Sequence, residues 1–177
     1  MSTGNDCTLN EQRLGRVRPL EVVSHRQTDW DRAFYGVAIE VGRLSKDPRR
    51  KVGAVVVAPD RRQMSPGYNG FPPEVPDTAQ NLLSRDFCRK HMVHAEMNCM
   101  KQAAPTMLLQ DATIYVTRFP CRECAEKIRA VGIARVVAPL PDLTHPRWGM
   151  SWAASITLLD AAGVRIHFPT AEEMHDG

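Results

Sequence analysis

Two short segments of the chain carry residue types that bind transition metals. One contains His94, and the other contains Cys121 and Cys124, which are three residues apart. At the start of a helix this spacing places both sulfurs on one face, within reach of a single ion. The partial positive charge of a helix N-terminus also favours the thiolate form that a metal needs. With His94 as the third ligand, the sequence predicts one zinc ion per chain whose fourth position is open, as in catalytic zinc sites.

Glu96 follows the histidine by two positions. A carboxylate placed there can lie beside the open coordination position without binding the metal, and it can move protons. We therefore predict that Glu96 is the catalytic residue of a metal-assisted hydrolysis. The alternative is a non-catalytic zinc-binding module, but a closed structural site has no use for a carboxylate at this position.

The predicted secondary structure places both segments near the starts of helices. A β-branched run at 52–58 is typical of a buried strand, and the remaining pattern alternates. Further strands are predicted at 62–67, 113–117, 134–138 and 164–168, and helices at 29–46, 93–104, 125–131 and 148–161. Because strands alternate with helices, we expect an α/β layered fold. The glycine- and proline-rich segment 67–73 is predicted to be a loop.

Composition indicates one ordinary domain. The chain has 177 residues, a formal net charge of +3 and 43% hydrophobic residues. We predict a catalytic domain at 29–169, a polar N-terminal extension at 1–28 and a short acidic tail at 170–177. No apolar run approaches the roughly 20 residues that span a bilayer, so no membrane partner is expected. Five cysteines, an odd number, and an N-terminus without signal-peptide features predict reduced thiols and a cytoplasmic location.

The two metal-binding segments resemble those of a known enzyme family. His94-Ala95-Glu96 followed by Pro120-Cys121-x-x-Cys124 is similar to the pattern of zinc-dependent nucleoside and nucleotide deaminases. More narrowly, five segments in the same order resemble the deoxycytidylate deaminase branch, and the likeness extends over about 30–168. These segments are 45–48, 51–55, 67–72, 94–98 and 116–121.

This resemblance implies a three-layer α/β/α fold with a central mixed sheet of about five strands. It implies hydrolytic deamination of deoxycytidylate (dCMP) to deoxyuridylate (dUMP) and ammonia, a supply of dUMP for thymidylate synthesis. It also implies a homo-oligomer, from dimer to hexamer, with dCTP and dTTP as allosteric effectors. The small-molecule partner is then a nucleotide.

Substrate contacts are expected from five residues. The resemblance implies that Asn69 contacts the sugar, although its flanking glycines also suit a simple turn role. Ser45 and Lys46 begin a basic cluster at 45–51, whose donors suit a 5′-phosphate, although such a cluster is also typical of a solvated loop. Ala95 and Arg118 complete the set, with Arg118 expected at the mouth of the pocket.

Other substrates remain alternatives: a nucleoside, dCTP, or a cytosine or adenine in nucleic acid, including transfer RNA. Deaminases of nucleic acid need a basic face and exposed aromatic side chains to stack the flanking bases. Aromatic residues make up only 6% of the chain, and no basic stripe lies near the zinc motifs. The sequence therefore argues against a nucleic-acid partner.

The remaining cysteines have separate predicted roles. Cys99 is assigned to a helix core, where a thiol behaves as a small hydrophobic group. Cys88 and His91 lie where some family members bind a second, structural zinc. Because Cys7 is the only other unassigned thiol, we expect one zinc and keep the second site as an alternative. The tryptophans Trp148 and Trp152, one helical turn apart, are assigned to the core.

Overall fold

The computed structural model describes residues 25–174, and its centre is a five-stranded mixed sheet. The order across the sheet is β2-β1-β3-β4-β5. Strand β1 is antiparallel to both of its neighbours, and β3, β4 and β5 are parallel. The strands are β1 (Gly53–Val57), β2 (Met64–Tyr68), β3 (Thr113–Val116), β4 (Arg135–Val137) and β5 (Arg165–His167). The predicted mixed sheet of five strands is confirmed.

Helices cover both faces of this sheet, which confirms the predicted α/β/α layering. Helix α1 packs on one face, and α4, α5 and α6 form the other layer. The helices of the described residues are α1 (His25–Arg43), α2 (Ala79–Leu83), α3 (Arg85–His91), α4 (Ala95–Ala103), α5 (Arg122–Ala130), α6 (Gly149–Ala161) and α7 (Ala171–Met174). None of them is long and apolar enough to cross a membrane.

The central strands bury both of their faces. In β1, Val55 and Val57 pack with Phe34 of α1, whereas Ala54 and Val56 point to the layer that contains α4. All four β1 side chains are at most 2% exposed. A strand covered on both sides has no polar face, which is why its sequence is continuously apolar rather than alternating. Burial of both faces also holds β1 in position beneath the candidate site.

Helix α4 lies unusually close to strand β2. A Cβ atom at Gly67 would stand 2.6 Å from the Ala95 carbonyl oxygen and would also collide with the backbone nitrogen of Cys99. Only glycine permits this approach. The loop after β2 is then tied to the residue before the helix by two backbone hydrogen bonds between Gly70 and Val93. Together these contacts fix the start of α4.

Several element boundaries differ from those predicted. Helix α4 begins at Ala95 because His94 is its N-cap, and α5 begins at Arg122 because Cys121 is its N-cap. Helix α6 ends as expected, with Gly163 at a φ of +73°. Helices α2 and α3, which follow the turn-rich loop, were not predicted. They are short and bury only Cys88, so they carry no apolar periodicity.

The predicted terminal segments lie largely outside the described residues. Of the polar extension at 1–28, only 25–28 is described, and it forms the start of α1. Of the acidic tail at 170–177, Ala171–Met174 forms the short helix α7. Cys7 lies outside the described residues.

Candidate active site

The three predicted metal ligands meet where two helices begin. His94 is the N-cap of α4, and Cys121 is the N-cap of α5. N-cap side chains usually accept a hydrogen bond from the first turn of their helix. Neither residue makes such a bond, because the two side chains face each other and Cys124 instead. Both helices thus begin without a side-chain capping hydrogen bond, because their N-cap side chains serve as candidate metal ligands.

The geometry of these ligands suits a tetrahedral ion. Nδ1 of His94 lies 3.3 Å from the Cys124 sulfur and 3.4 Å from the Cys121 sulfur. Nitrogen and sulfur ligands of one tetrahedral zinc lie about 3.6 Å apart. Among residues 25–174, this is the only group of three potential ligands whose donor atoms lie within 4.8 Å of one another. The donor set of one imidazole and two thiols therefore fits zinc and leaves a fourth position open.

The protonation of this cluster also suits a metal. A hydrogen bond from Cys124 lowers the pKa of Cys121 to about 4, and a hydrogen bond with Cys121 raises the pKa of His94 to about 9. The pKa of Cys124 is raised, first by its hydrogen bond to Cys121 and then by burial. In the metal-free protein the cluster therefore holds protons that a zinc ion, which binds neutral imidazole and thiolates, would displace.

Glu96 lies in the first turn of α4, beside the ligands. Its side chain is only 4% exposed, and burial raises the pKa of its carboxyl. It interacts with Cys124 and also lines the pocket in front of the metal ligands. A carboxyl with a raised pKa, at the edge of both the ligand cluster and the pocket, can accept and return a proton. The catalytic role of Glu96 stays a prediction.

A pocket of about 470 Å³ opens over these residues. This volume lies within the usual range for small-molecule sites. One wall is aromatic: Trp148 and Trp152 stack with their ring centroids 6.3 Å apart. The indole N–H of Trp152 donates to the carbonyl of Phe119 at 3.0 Å, which holds this wall against the segment that leads to Cys121. The wall is therefore rigidly connected to the metal site.

Asn69 and Ala95 both line the pocket. The amide of Asn69 is 6% exposed and joins two loops, because its Oδ1 accepts from the Val52 N–H at 2.8 Å and its Nδ2 donates to the Arg50 carbonyl at 2.9 Å. These two hydrogen bonds hold the Asn69 loop against the segment before β1, and the sugar contact of Asn69 stays a prediction. The Ala95 N–H belongs to the first residue of α4, where helices lack internal acceptors.

Ser45 and Lys46 do not line the pocket. The Ser45 hydroxyl is buried and donates to the Asn69 carbonyl at 2.8 Å, so it supports the Asn69 loop from behind. The Lys46 ammonium pairs with Asp77 at 2.8 Å in an exposed position, and this hydrogen bond raises its pKa. The predicted phosphate contacts of these two residues stay predictions. Arg118, by contrast, lies in the pocket wall as expected.

The pocket holds more arginines than the sequence interpretation expected. Besides Arg118, five others line it: Arg49, Arg50, Arg85, Arg89 and Arg147. Arg49 and Arg50 belong to the basic cluster predicted at 45–51, whereas Arg85 and Arg89 lie on α3 and Arg147 precedes α6. No spacing in the sequence signals that these three groups meet in one pocket. The guanidinium of Arg118 lies 5.2 Å from the Trp152 ring and 6.0 Å from the Trp148 ring.

Cys88 and His91 do not form a second metal cluster with any described residue. The Cys88 thiol donates to the carbonyls of Asn81 and Leu82 and accepts from Arg49 at 3.0 Å. The His91 ring packs against Phe87, with centroids 4.3 Å apart. Cys99 is fully buried in the core, as predicted.

An α/β/α fold with this ligand set and a buried glutamate in front of an open position defines the class of zinc-dependent deaminases. Comparison with known families agrees: residues 28–139 match the cytidine and deoxycytidylate deaminase zinc-binding region. The chain belongs to the cytidine and deoxycytidylate deaminase family.

Individual relatives lie in the same family. An uncharacterized deaminase of Aliivibrio fischeri is 37% identical over 139 residues, which cover 77% of this chain and 91% of that protein. The deoxycytidylate deaminase of Mycobacterium phage D29 is 42% identical over 123 residues, covering 63% of this chain and 94% of the phage protein. The dCMP deaminase of cyanophage S-TIM5, solved with dCMP and dUMP, shares the fold with a TM-score of 0.63 at 20% identity, covering 79% and 96% of the two chains.

Proposed function

We propose that this protein is a zinc-dependent hydrolase that converts dCMP to dUMP and ammonia. The observation that carries the proposal is the buried Glu96, placed between the three-ligand cluster and an arginine-lined pocket. Several relatives that cover 62–77% of the chain are named deoxycytidylate deaminases, which supports the choice of substrate. The volume of the pocket and its arginine side chains suit a small anionic nucleotide.

Each step of the reaction has a residue suited to it. Zinc, when bound, supplies Lewis-acid activation of water for attack on C4 of cytosine. Glu96 accepts a proton from that water, delivers it to N3 and then assists the departure of ammonia. The Ala95 N–H has no acceptor within its helix, and we assign it to the base because Ala95 lines the pocket beside Glu96. Asn69 holds the loop against the sugar, and Ser45 holds Asn69.

The phosphate of the substrate is assigned to the arginines beside the indole wall. Arg50, Arg118 and Arg147 all lie within 6.0 Å of the Trp148 ring centroid. Guanidinium groups match phosphate oxygens in a fixed, bidentate geometry, and stacking on an indole orients them beforehand. This assignment differs from the sequence prediction, which favoured Ser45 and Lys46.

A substrate panel tests the proposed function. We expect the zinc-loaded protein to deaminate dCMP, with deoxycytidine and cytidylate much poorer and a short RNA hairpin inert. Loss of cytosine absorbance and release of ammonia measure the reaction directly. Turnover of deoxycytidine alone would indicate a nucleoside deaminase, and turnover of the hairpin would indicate a nucleic-acid enzyme. If no compound reacts although zinc is bound, the protein is a zinc-binding module instead.

Arg118→Ala tests the phosphate assignment. We expect kcat/KM for dCMP to fall about tenfold or more, because a charge-assisted contact is lost, while the low activity on deoxycytidine stays within about twofold. Both substrates are assayed at saturating zinc. Arg62→Ala removes the same charge from an exposed turn outside the pocket and is the matched control. If Lys46→Ala abolishes the preference for dCMP as strongly as Arg118→Ala does, Lys46 contacts the phosphate as the sequence predicted, and the assignment to the arginines beside the indole wall is wrong.

The cellular setting of the enzyme is also part of the proposal. A site built on two thiolates requires reduced cysteines, and the four described cysteines are free thiols, which supports a cytoplasmic location. The homo-oligomer stays a prediction, supported by exposed Met64 and Tyr68 on the edge strand β2. Control by dCTP and dTTP stays a prediction as well.

A further inference from the structure

The pocket carries more positive charge than one phosphate balances. Six arginines line it, against two carboxylates, those of Asp47 and Glu96. Glu96 serves the reaction, and Asp47 is occupied with the backbone N–H groups of Arg49 and Arg50. A cluster of like charges is unfavourable unless an anion balances it. The excess positive charge is therefore available to bind an anionic ligand.

Two of the six arginines are already committed to the protein. The guanidinium of Arg49 donates to the carbonyls of Leu82 and Leu83 at 2.9 and 3.0 Å. Arg89 pairs with Asp86 at 3.1 Å, but this pair is exposed and exchanges readily with solvent. Among residues 25–174, no hydrogen bond or ion pair engages the guanidinium groups of the other four: Arg50, Arg85, Arg118 and Arg147.

These four arginines fall into two places in the pocket. Arg50, Arg118 and Arg147 gather at the Trp148 ring, and the proposed function assigns them to the first phosphoryl group. Arg85 stands apart from that ring, on α3, one turn before Arg89. The two places nevertheless belong to one site, because all of these arginines line the same pocket. Arg85 thus offers a second cationic place in the pocket, separate from the one assigned to the first phosphoryl group.

We propose that Arg85, assisted by Arg89, binds a second phosphoryl group, so that the substrates of this pocket include cytosine deoxynucleoside diphosphates. This inference rests on the proposed function and extends it. The reaction itself is unchanged: the oxygen of water replaces the amino group at C4, ammonia leaves, and the phosphoanhydride bond stays intact. Deoxycytidine diphosphate (dCDP) is converted to deoxyuridine diphosphate.

The test compares dCMP, dCDP and dCTP as substrates of the full-length, zinc-loaded protein. We expect kcat/KM for dCDP to equal or exceed that for dCMP. Arg85→Ala is expected to lower kcat/KM for dCDP and dCTP about tenfold or more, and that for dCMP less than about twofold. Lys90→Ala removes the same charge from an exposed position on the same helix, outside the pocket lining, and is the matched control. Thermal melting of each variant checks that it is folded.

Each contrary result has a separate meaning. If dCMP is deaminated and dCDP is not, the second phosphoryl site is overturned and the proposed function stands. If Arg85→Ala lowers kcat/KM equally for dCMP and dCDP, Arg85 acts only through the general electrostatic field of the pocket, and the proposal is overturned. The proposal is also overturned if Lys90→Ala has the same effect as Arg85→Ala. Faster turnover of a short single-stranded oligodeoxycytidylate assigns the arginines to nucleic acid instead. If zinc is bound and none of the nucleotides reacts, the proposed function itself fails.

Discussion

Replacing Glu96 by glutamine is expected to lower kcat for dCMP by about 10³ to 10⁴-fold while the protein keeps one zinc per chain. General acid–base catalysis by one placed group contributes about 10² to 10⁴-fold, and Glu96 here serves more than one proton transfer. Glutamine has the same shape and still forms hydrogen bonds, but it cannot carry a proton. It is not a predicted metal ligand, so zinc content should not change. The measurements are loss of cytosine absorbance and zinc by mass spectrometry.

Glu123→Gln is the matched control for this experiment. Glu123 lies between the two cysteine ligands but is exposed and does not line the pocket. Its replacement removes an equal charge near the same cluster, and kcat should stay within about twofold. Turnover near the wild-type level in Glu96→Gln, with zinc retained, contradicts the proton-transfer role. Loss of zinc together with activity would instead make Glu96 part of the metal site.

The main strands could be predicted because burial leaves a direct signature in the sequence. The β-branched run of β1 and the apolar run of β3 were predicted from residue type alone, since strands covered on both faces must be apolar. Helices α2 and α3 left no such signature. They are short, mostly exposed and stabilised by Ser84 and Thr78 as N-caps, so local capping rather than periodicity defines them.

The candidate site likewise has one part that can be predicted from the sequence and one part that cannot. The ligands and Glu96 lie close together along the chain in two helix starts, so their spacing already defines the chemistry. The arginines of the pocket come from loops and helices far apart in the sequence, and only the fold brings them together. Lys46 illustrates the opposite case: it stands in a basic cluster of the sequence, yet the fold pairs it with Asp77 away from the pocket. Arg49 and Arg50 of the same cluster do line the pocket, so the clustering of charge in the sequence indicates the region but not which of its side chains face the site.

A buried ion pair behind the sheet provides the second large expected effect. Arg135 of β4 donates two hydrogen bonds of 2.7 Å to the two carboxylate oxygens of Asp31 on α1, and both side chains are at most 3% exposed. The Tyr115 hydroxyl donates to the same carboxylate at 2.8 Å. Asp31→Asn is expected to reduce the free energy of unfolding by about 3–5 kcal/mol, because it leaves the Arg135 charge buried without a counter-charge. Denaturant unfolding measures the loss.

Two comparisons separate this effect from a general loss of charge. Glu126→Gln breaks the exposed Arg122–Glu126 pair, whose side chains are 66% and 45% exposed, and should cost less than about 1 kcal/mol. The double variant Asp31→Leu with Arg135→Met removes both charges and should recover most of the stability, since apolar replacements of a buried pair are often neutral. If the double variant is less stable than Asp31→Asn alone, desolvation is not the cause of the loss.

The pH dependence of this stability gives an independent check on the same pair. Burial alone would raise the pKa of Asp31, but the hydrogen bond and charge of Arg135, with further hydrogen bonds from Gln27 and Tyr115, hold it below its usual value. A carboxyl whose pKa is lower in the folded state contributes its full stability above its unfolded pKa of about 3.9 and loses it as the pH falls through the folded pKa. The difference between wild type and Asp31→Asn should therefore be constant from about pH 5 to 8 and shrink on acidification below about pH 4. A difference that widens in acid would mean that the folded state raises the pKa of Asp31, and that Arg135 does not hold Asp31 as a carboxylate.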